Sequence, residues 1–253
     1  MTPNLDIQPD IKISLKQTFG IDSEMEVDAF SKKNEYVPEI DKSYKFILHY
    51  NESHKEVEAL IKRISKDGGS AKPIKFNLLE TSNIESFVLK AEKLYGRIDV
   101  LINNASIFKA KKLNKISNKD LDEMIDVNLK APFLLSKFIS SKMIKRKNGK
   151  IINFTDSIGV SKTWKDYSHY CISKGGLETM TKVMSLELSP YVQVNSIAPG
   201  KILKPINSSK NLYNNSYNSK NAINDIVNTA HLLIESKFIN GESFKVDNGE
   251  SLI

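Results

Sequence analysis

From Tyr44 onward the chain repeats one pattern: a short, largely apolar run, a polar break, then a stretch with apolar residues every three or four positions. The runs are Phe46-Ile47-Leu48, Pro73-Ile74-Lys75-Phe76, Val100-Leu101-Ile102, Ile151-Ile152-Asn153-Phe154 and Tyr191 to Ala198. A strand without polar alternation must be covered on both faces, and such strands joined through helices form a parallel sheet. The intervening stretches each carry one apolar stripe. Ile84, Phe87, Val88, Ala91, Leu94 and Tyr95 form the first; Met124, Ile125, Leu129, Leu135 and Ile139 lie on a long helix predicted over 121–145; Leu177, Met180, Met184 and Leu188 follow Tyr170 up to a stop at Pro190. The pattern predicts an α/β fold, a doubly wound parallel sheet with helices on both faces. A chain of 253 residues is about one such domain.

Composition narrows the setting. A single cysteine, Cys171, excludes an intramolecular disulfide, and it reads as a small buried residue. No apolar run approaches the ~18 residues of a membrane span, and the first residues lack the basic start and apolar core of a signal peptide, so a cytoplasmic protein is expected. His49, His54, His169 and His231 lack metal-ligand spacing, and no metal is expected. The formal charge of +7 comes almost wholly from lysine, with arginine only at Arg63, Arg97 and Arg146. Nucleic-acid reading sites favour arginine forks, so no nucleic-acid partner is expected.

The chemistry concentrates at Tyr170-Cys171-Ile172-Ser173-Lys174. A four-residue spacing puts Tyr and Lys on one helix face, and an ammonium beside a phenol favours the phenolate, as a general acid or base requires. The spacing alone is common on exposed helix faces; its company in chain order gives it weight. Asp99-Val100-Leu101-Ile102-Asn103-Asn104-Ala105-Ser106 comes first, followed by Asp126-Val127-Asn128-Leu129, then Ile151 to Ser157, the Tyr/Lys pair, and Val194-Asn195-Ser196-Ile197-Ala198-Pro199-Gly200. From about Tyr44 to the C-terminus this series resembles the short-chain dehydrogenase/reductase family, and within it pteridine reductases, through His49-Tyr50-Asn51, Asn-Asn-Ala-Ser and Thr155-Asp156.

The resemblance implies a Rossmann-like fold, a small-molecule substrate, a homo-oligomer (dimer or tetramer) and NADP as cofactor, with NAD the less expected. It implies that Tyr170 donates a proton to a C=O or C=N bond, that Lys174 lowers the phenol pKa and holds the nicotinamide ribose, and that Asn128 anchors a proton relay. Ser157 stands thirteen residues before the Tyr, where the family commonly has a substrate-orienting Ser. Asp156 fits the pteridine-reductase pattern in that role, and both stay candidates. Asn103 and Ala105 in the turn after the fourth strand, Asn77 after the third, and Pro199 and Gly200 after the sixth are the implied cofactor contacts. Asn51 and Ser53, after the second strand, either meet the cofactor or simply cap a helix. Phe108 and Trp164 are candidates to sandwich a flat ring, or to cover the core edge. Residues 204 to 221 read as a lid, and Phe238 to Asn240 with Phe244 to Gly249 as the closing strand.

Residues 1–43 form an atypical N-terminal segment before the 44–253 domain. Ile11 to Leu15 alternates like a short strand, but the family's glycine-rich pyrophosphate turn is missing: the segment holds only Gly20, followed by Asp22, Glu24, Glu26 and Asp28. These carboxylates cap a helix start well and repel a pyrophosphate. A scaffold protein that has lost its phosphate site is therefore the alternative to an enzyme, and an altered reading frame over this segment a third reading. Each lost charge-assisted hydrogen bond removes roughly 1.5–3 kcal/mol, so dinucleotide affinity should be at least about a hundredfold below that of a chain with the turn. Calorimetric titration of NADPH checks this; micromolar or tighter binding contradicts it.

Overall fold

The computed structural model describes residues 12–13, 44–202 and 219–253. Seven parallel strands form one sheet in the order β3-β2-β1-β4-β5-β6-β7. They are β1 (Lys12–Ile13), β2 (Lys45–Tyr50), β3 (Ser70–Lys75), β4 (Val100–Asn103), β5 (Gly149–Phe154), β6 (Val192–Pro199) and β7 (Ser243–Val246). The helices are α1 (His54–Lys66), α2 (Ile84–Lys93), α3 (Asn118–Ile125), α4 (Ala131–Arg146), α5 (Ser157–Ser161), α6 (Ser168–Glu187) and α7 (Ser219–Glu235). The order reverses between β1 and β4, which opens a crevice outside the strands' carboxyl ends, where such sheets bind ligands.

The expected doubly wound sheet is borne out, and strand parity explains it. Ile47, Leu101, Ile151 and Val194 point to one side, where Phe87 and Val88 of α2, Leu135 and Ile139 of α4, and Leu177 and Met184 of α6 cover them. Their neighbours Val100, Ile102, Ile152 and Phe154 point to the other side, against Ile226, Ala230 and Leu233 of α7. α1 buries Val57 and Ile64 against Leu48 and Tyr50 of β2. The buried carboxylate of Asp99, just before β4, is bracketed by Arg97 and Arg146, so two of the three arginines serve the fold.

The short strand read around Ile11 to Leu15 is present at Lys12 and Ile13, with Lys12 opposite Phe46 on one side and Val100 on the other. Gly20, the acidic run from Asp22 to Asp28, and the stretch read as a lid up to residue 218 lie outside the described residues. Two expectations need correction. The predicted helix over 121–145 is α3 and α4 joined by a π turn at Asp126–Lys130. The closing strand is confined to Ser243–Val246, and Phe238 is 99% exposed; its neighbours are held by the Ser236 hydroxyl and the Asn240 amide instead of by a ladder.

Of the adjacent glycines Gly175 and Gly176 in α6, one is closely packed. A Cβ on Gly176 would sit 2.8 Å from Leu129, whereas one on Gly175 would meet nothing within 4 Å. At Gly149 a Cβ would lie 2.5 Å from Cγ and 2.6 Å from Cβ of fully buried Met143. Gly175→Ala should therefore raise the unfolding free energy by roughly 0.5–1 kcal/mol, the helix-interior cost of glycine. Gly149→Ala should lower it by about 1–3 kcal/mol through overpacking. Urea denaturation midpoints check both.

Candidate active site

The carboxyl ends of β4, β5 and β6 deliver Asn103, Asp156 and Pro199–Gly200 to one edge of the sheet, and α6 crosses behind them with Tyr170 and Lys174 on its inner face. Asp156 is the N-cap of α5: one carboxylate oxygen accepts the Gly159 backbone N–H, and the other accepts the Tyr170 hydroxyl at 2.7 Å. Gly159 fits tightly here: a Cβ would come within 3.1 Å of the Asp156 carboxyl and 3.2 Å of the Tyr170 ring, and one of them would have to give by a few tenths of an ångström. One turn further along α6, Lys174 is fully buried, donates to the Phe154 carbonyl at 2.7 Å, and holds its ammonium 5.9 Å from the Tyr170 ring centroid. Burial pushes its pKa down from 10.5 to about 8, with the Asp156 carboxylate opposing the drop.

Between the two residues considered to face the Tyr, the structure puts Asp156 against it. Ser157 is buried, and its hydroxyl makes no hydrogen bond among the described residues. Burial would raise the Asp247 carboxyl, but the hydroxyls of Ser251 and nearby Ser157 and the Gly249 and Ser251 amides outweigh it and hold its pKa below the usual value.

Asn128 sits in the π turn, a distortion that often marks functional positions. Its carbonyl oxygen accepts the Ile107 backbone N–H at 2.8 Å and the Ser106 hydroxyl at 3.1 Å, while its amide donates to the Ile107 carbonyl at 3.0 Å and the Ser173 hydroxyl at 3.2 Å. The side chain thus clamps the loop after β4 to the helix that carries Tyr170 and Lys174.

The expected cofactor contacts divide. Asn103 and Ala105 line a pocket with Asn104, Leu78, His49 and Pro132. The Asn103 amide donates to Asn153 at 2.8 Å and to Ser136 at 3.2 Å, which leaves its buried oxygen as an acceptor without a partner among the described residues. Asn77 spends its oxygen on the Leu79 N–H at 3.1 Å. Ser53 is the N-cap of α1 yet makes no side-chain capping bond, so the capping alternative does not engage its hydroxyl; Asn51 directly follows β2. Pro199 ends β6, and Gly200 is packed so closely on Asp247 that a Cβ would lie 2.8 Å from its backbone. His49 and Leu78 were not singled out from sequence. Burial lowers the His49 pKa against the bond its ring makes to the Phe76 carbonyl, so at neutral pH the pocket wall there is uncharged. An apolar, uncharged pocket with an unpaired acceptor fits the adenosine end of a dinucleotide.

Phe108 and Trp164 do not form the two sides of a slot. Their rings meet edge to face at 5.9 Å, and Phe108 stacks instead on Tyr167 at 4.2 Å, with its other contact on Tyr170 at 4.6 Å. Tyr167 has no signal in the sequence beyond its aromatic ring. The result is an aromatic wall beside the Tyr170 hydroxyl. Cys171 is only partly buried, its sulfur accepts the Trp164 backbone N–H at 3.4 Å, and burial raises its pKa, which keeps it a thiol. Among the described residues no cluster of metal-ligating side chains occurs, and no helix is long and apolar enough to cross a membrane.

Known proteins resemble this chain in sequence and fold. The family model for short chain dehydrogenases matches residues 36–215, and one for the N-terminal part of the cobaltochelatase CobS subunit matches residues 4–37, of which only Lys12 and Ile13 are among the described residues. A 2-dehydro-3-deoxy-D-gluconate 5-dehydrogenase of Formosa agariphila is 31% identical over 216 residues, covering 80% of this chain and 81% of that protein. The 3-oxoacyl-[acyl-carrier-protein] reductase FabG of Thermotoga maritima is 34% identical over 155 residues, covering 61% and 63%. Among solved structures, FolM alternative dihydrofolate reductase 1 from Brucella canis, complexed with NADP, superposes with a TM-score of 0.77 at 22% identity over 98% of this chain and 96% of that one, a likeness of fold. With the family model covering most of the chain and the strand order and dehydrogenase relatives agreeing with it, the protein belongs to the short-chain dehydrogenase family.

Proposed function

We propose that the protein is an NADPH-dependent reductase that converts a C=O or C=N bond of a flat, pteridine-like small molecule, with Tyr170 as proton donor. The observation that carries the reading is the Tyr170 hydroxyl held by Asp156 at 2.7 Å above a fully buried Lys174. A cation taken out of water without a partner carboxylate in direct contact costs folding free energy, and chains retain such groups where chemistry uses them. This weighs against the scaffold alternative.

A bound NADPH would supply the hydride. Asn103, Ala105 and Leu78 would hold its adenosine end, Lys174 its nicotinamide ribose, and Pro199–Gly200 would border the nicotinamide. Substrate oxygen or nitrogen exchanges with Asp156 for the Tyr170 proton, which then passes to the substrate as the new C–H bond forms. The phenolate left behind is stabilised by the Lys174 ammonium, which a pKa of about 8 keeps protonated at pH 7. Asn128 acts through position, fixing the loop against α6, and Phe108 and Tyr167 face the ring of the substrate. The assembly is a cytoplasmic homo-oligomer, dimer or tetramer, in which α4 and α6 pair through Phe133, Ile144, Ile172, Val183 and Leu186, all exposed here.

Tyr170→Phe should lower turnover by about 10²- to 10⁴-fold, the worth of a positioned general acid. Its unfolding midpoint should stay close to that of the native protein, because the ring keeps its contacts with Phe108 and Tyr167. Steady-state rates and a thermal melt measure both, and a variant at the native rate contradicts the assignment. NADPH should outperform NADH, because Tyr50 and Asn51 present no carboxylate at the end of β2 to repel a 2′-phosphate. Comparison of kcat/KM for the two cofactors tests this, and a clear NADH preference would show that the end of β2 does not face the ribose.

A further inference from the structure

Lys201 is the residue next after Gly200, and its backbone is fixed from both sides. Its N–H donates to the Glu250 carboxylate at 2.9 Å, the Gly200 N–H donates to the Val246 carbonyl at 3.0 Å, and the Ile202 N–H bonds the Gly200 carbonyl at 2.9 Å. The half-buried side chain lies over Trp164, with the ammonium 5.4 Å from the ring centroid. Lys109 and Lys111, on the loop after β4, are matched to Glu123 and Asp120, whereas Lys201 forms no ion pair among the described residues. Lys162 and Lys165, exposed on the loop that carries Trp164, are likewise without an ion pair there, and Asp166 is that loop's single acid.

A second observation is independent of the charge. The indole N–H of Trp164 is buried and has no acceptor among the described residues. An indole nitrogen can only donate, and a buried donor left unpaired is unfavourable, so a ligand that brings an acceptor would satisfy it. Trp164 touches Phe108, and Phe108 touches Tyr170 at 4.6 Å, so the ammonium and the unpaired N–H stand at the outer end of the aromatic wall whose inner end is the Tyr170 hydroxyl.

We infer that Lys201 and Trp164 form an anion-recognition site for the substrate: it carries a carboxylate on the side of its ring remote from the bond that is reduced. This rests on the reductase reading for the words substrate and reduced, while the anion site itself is a matter of binding. The ammonium supplies charge, the indole N–H a directed donor, and the Phe108–Tyr167 stack a flat surface between anion and reacting atom. Lys201 is thereby a specificity residue, and a substrate analogue with a neutral amide in place of the carboxylate loses its charge-assisted contact.

Trp164 is the protein's single tryptophan, so its fluorescence reports on this site. Benzoate and benzamide, flat rings that differ in charge, are titrated into the full-length protein. Benzoate should bind saturably and about tenfold more tightly than benzamide, the ratio worth one charge-assisted hydrogen bond. Lys201→Met, which keeps an unbranched chain on the ring, should bring the ratio to near one, and Lys201→Arg should keep it. No saturable response to benzoate, equal binding of the two, or a ratio that survives in Lys201→Met overturns the inference. NADPH oxidation with 4-formylbenzoate separates the two levels: Lys201-dependent benzoate binding without turnover of any carbonyl compound upholds the anion site and counts against the reductase.

Discussion

One buried cation organises this site. The Lys174 ammonium is withdrawn from water, and a pKa pushed from 10.5 to about 8 corresponds to roughly 3 kcal/mol of lost preference for its charged form. What keeps it charged at neutral pH is the Phe154 carbonyl at 2.7 Å and the nearby Asp156 carboxylate, both delivered by the end of β5. The surrounding structure follows from that need. Asp156 must cap α5 and face Tyr170 at once, and the missing side chain of Gly159 gives it room to do both. α6 must lie close against the loop after β4, which the Asn128 clamp and the Gly176–Leu129 contact provide. The penalty falls away with rising pH: an unfolded chain holds the Lys174 proton up to 10.5 and the folded one only to about 8, so between those values the fold gains stability as pH rises.

The sheet and its helices were legible because their signals are periodic. Strands buried on both faces show as apolar runs, covering helices as single stripes, and the twofold parity of a strand is enough to assign Leu101 and Val100 to opposite layers. Long-range pairing within the site was legible only through motif order, which brought Asn103, Asn128, Asp156, Tyr170 and Lys174 to one edge. The choice between Asp156 and Ser157 was not, because residue counting cannot say which of two adjacent side chains points back toward the helix. Cap geometry fixes the direction of Asp156, which turns to Gly159 and Tyr170, while the Ser157 hydroxyl is buried without a hydrogen bond among the described residues.

The sequence likewise left open whether Phe108 and Trp164 sandwich a ring or cover a core edge; they cover the edge formed by Met124, Tyr167 and Tyr170. Thr163 and Asp166 adopt left-handed backbone conformations, with φ of 67° and 69°, that place Trp164 at the edge of Phe108 and leave its face to Tyr167. Left-handed turns usually announce themselves through glycine, asparagine or aspartate; Asp166 is such a residue, but the β-branched Thr163 gives no such signal. The N-terminal segment has a different difficulty. It supplies β1 to the central slot of the sheet, but its sequence between residues 4 and 37 matches another family's model, and the glycine turn expected after that strand has no counterpart in it. The pocket lined by His49, Leu78 and Asn103, from β2, the segment after β3 and β4, is the one proposed above for the adenosine end of a cofactor.

The central claim is that a lysine held without water tunes a tyrosine for proton transfer. Its most direct test is the pH titration of the Lys174 side chain in the cofactor-free protein, followed by NMR of isotopically labelled lysine and assigned with Lys174→Arg. The account predicts a midpoint near 8, well apart from the protein's exposed lysines. A Lys174 resonance that titrates with them near ~10.4 would contradict it, since an ammonium with that pKa would not carry the desolvation on which the account rests.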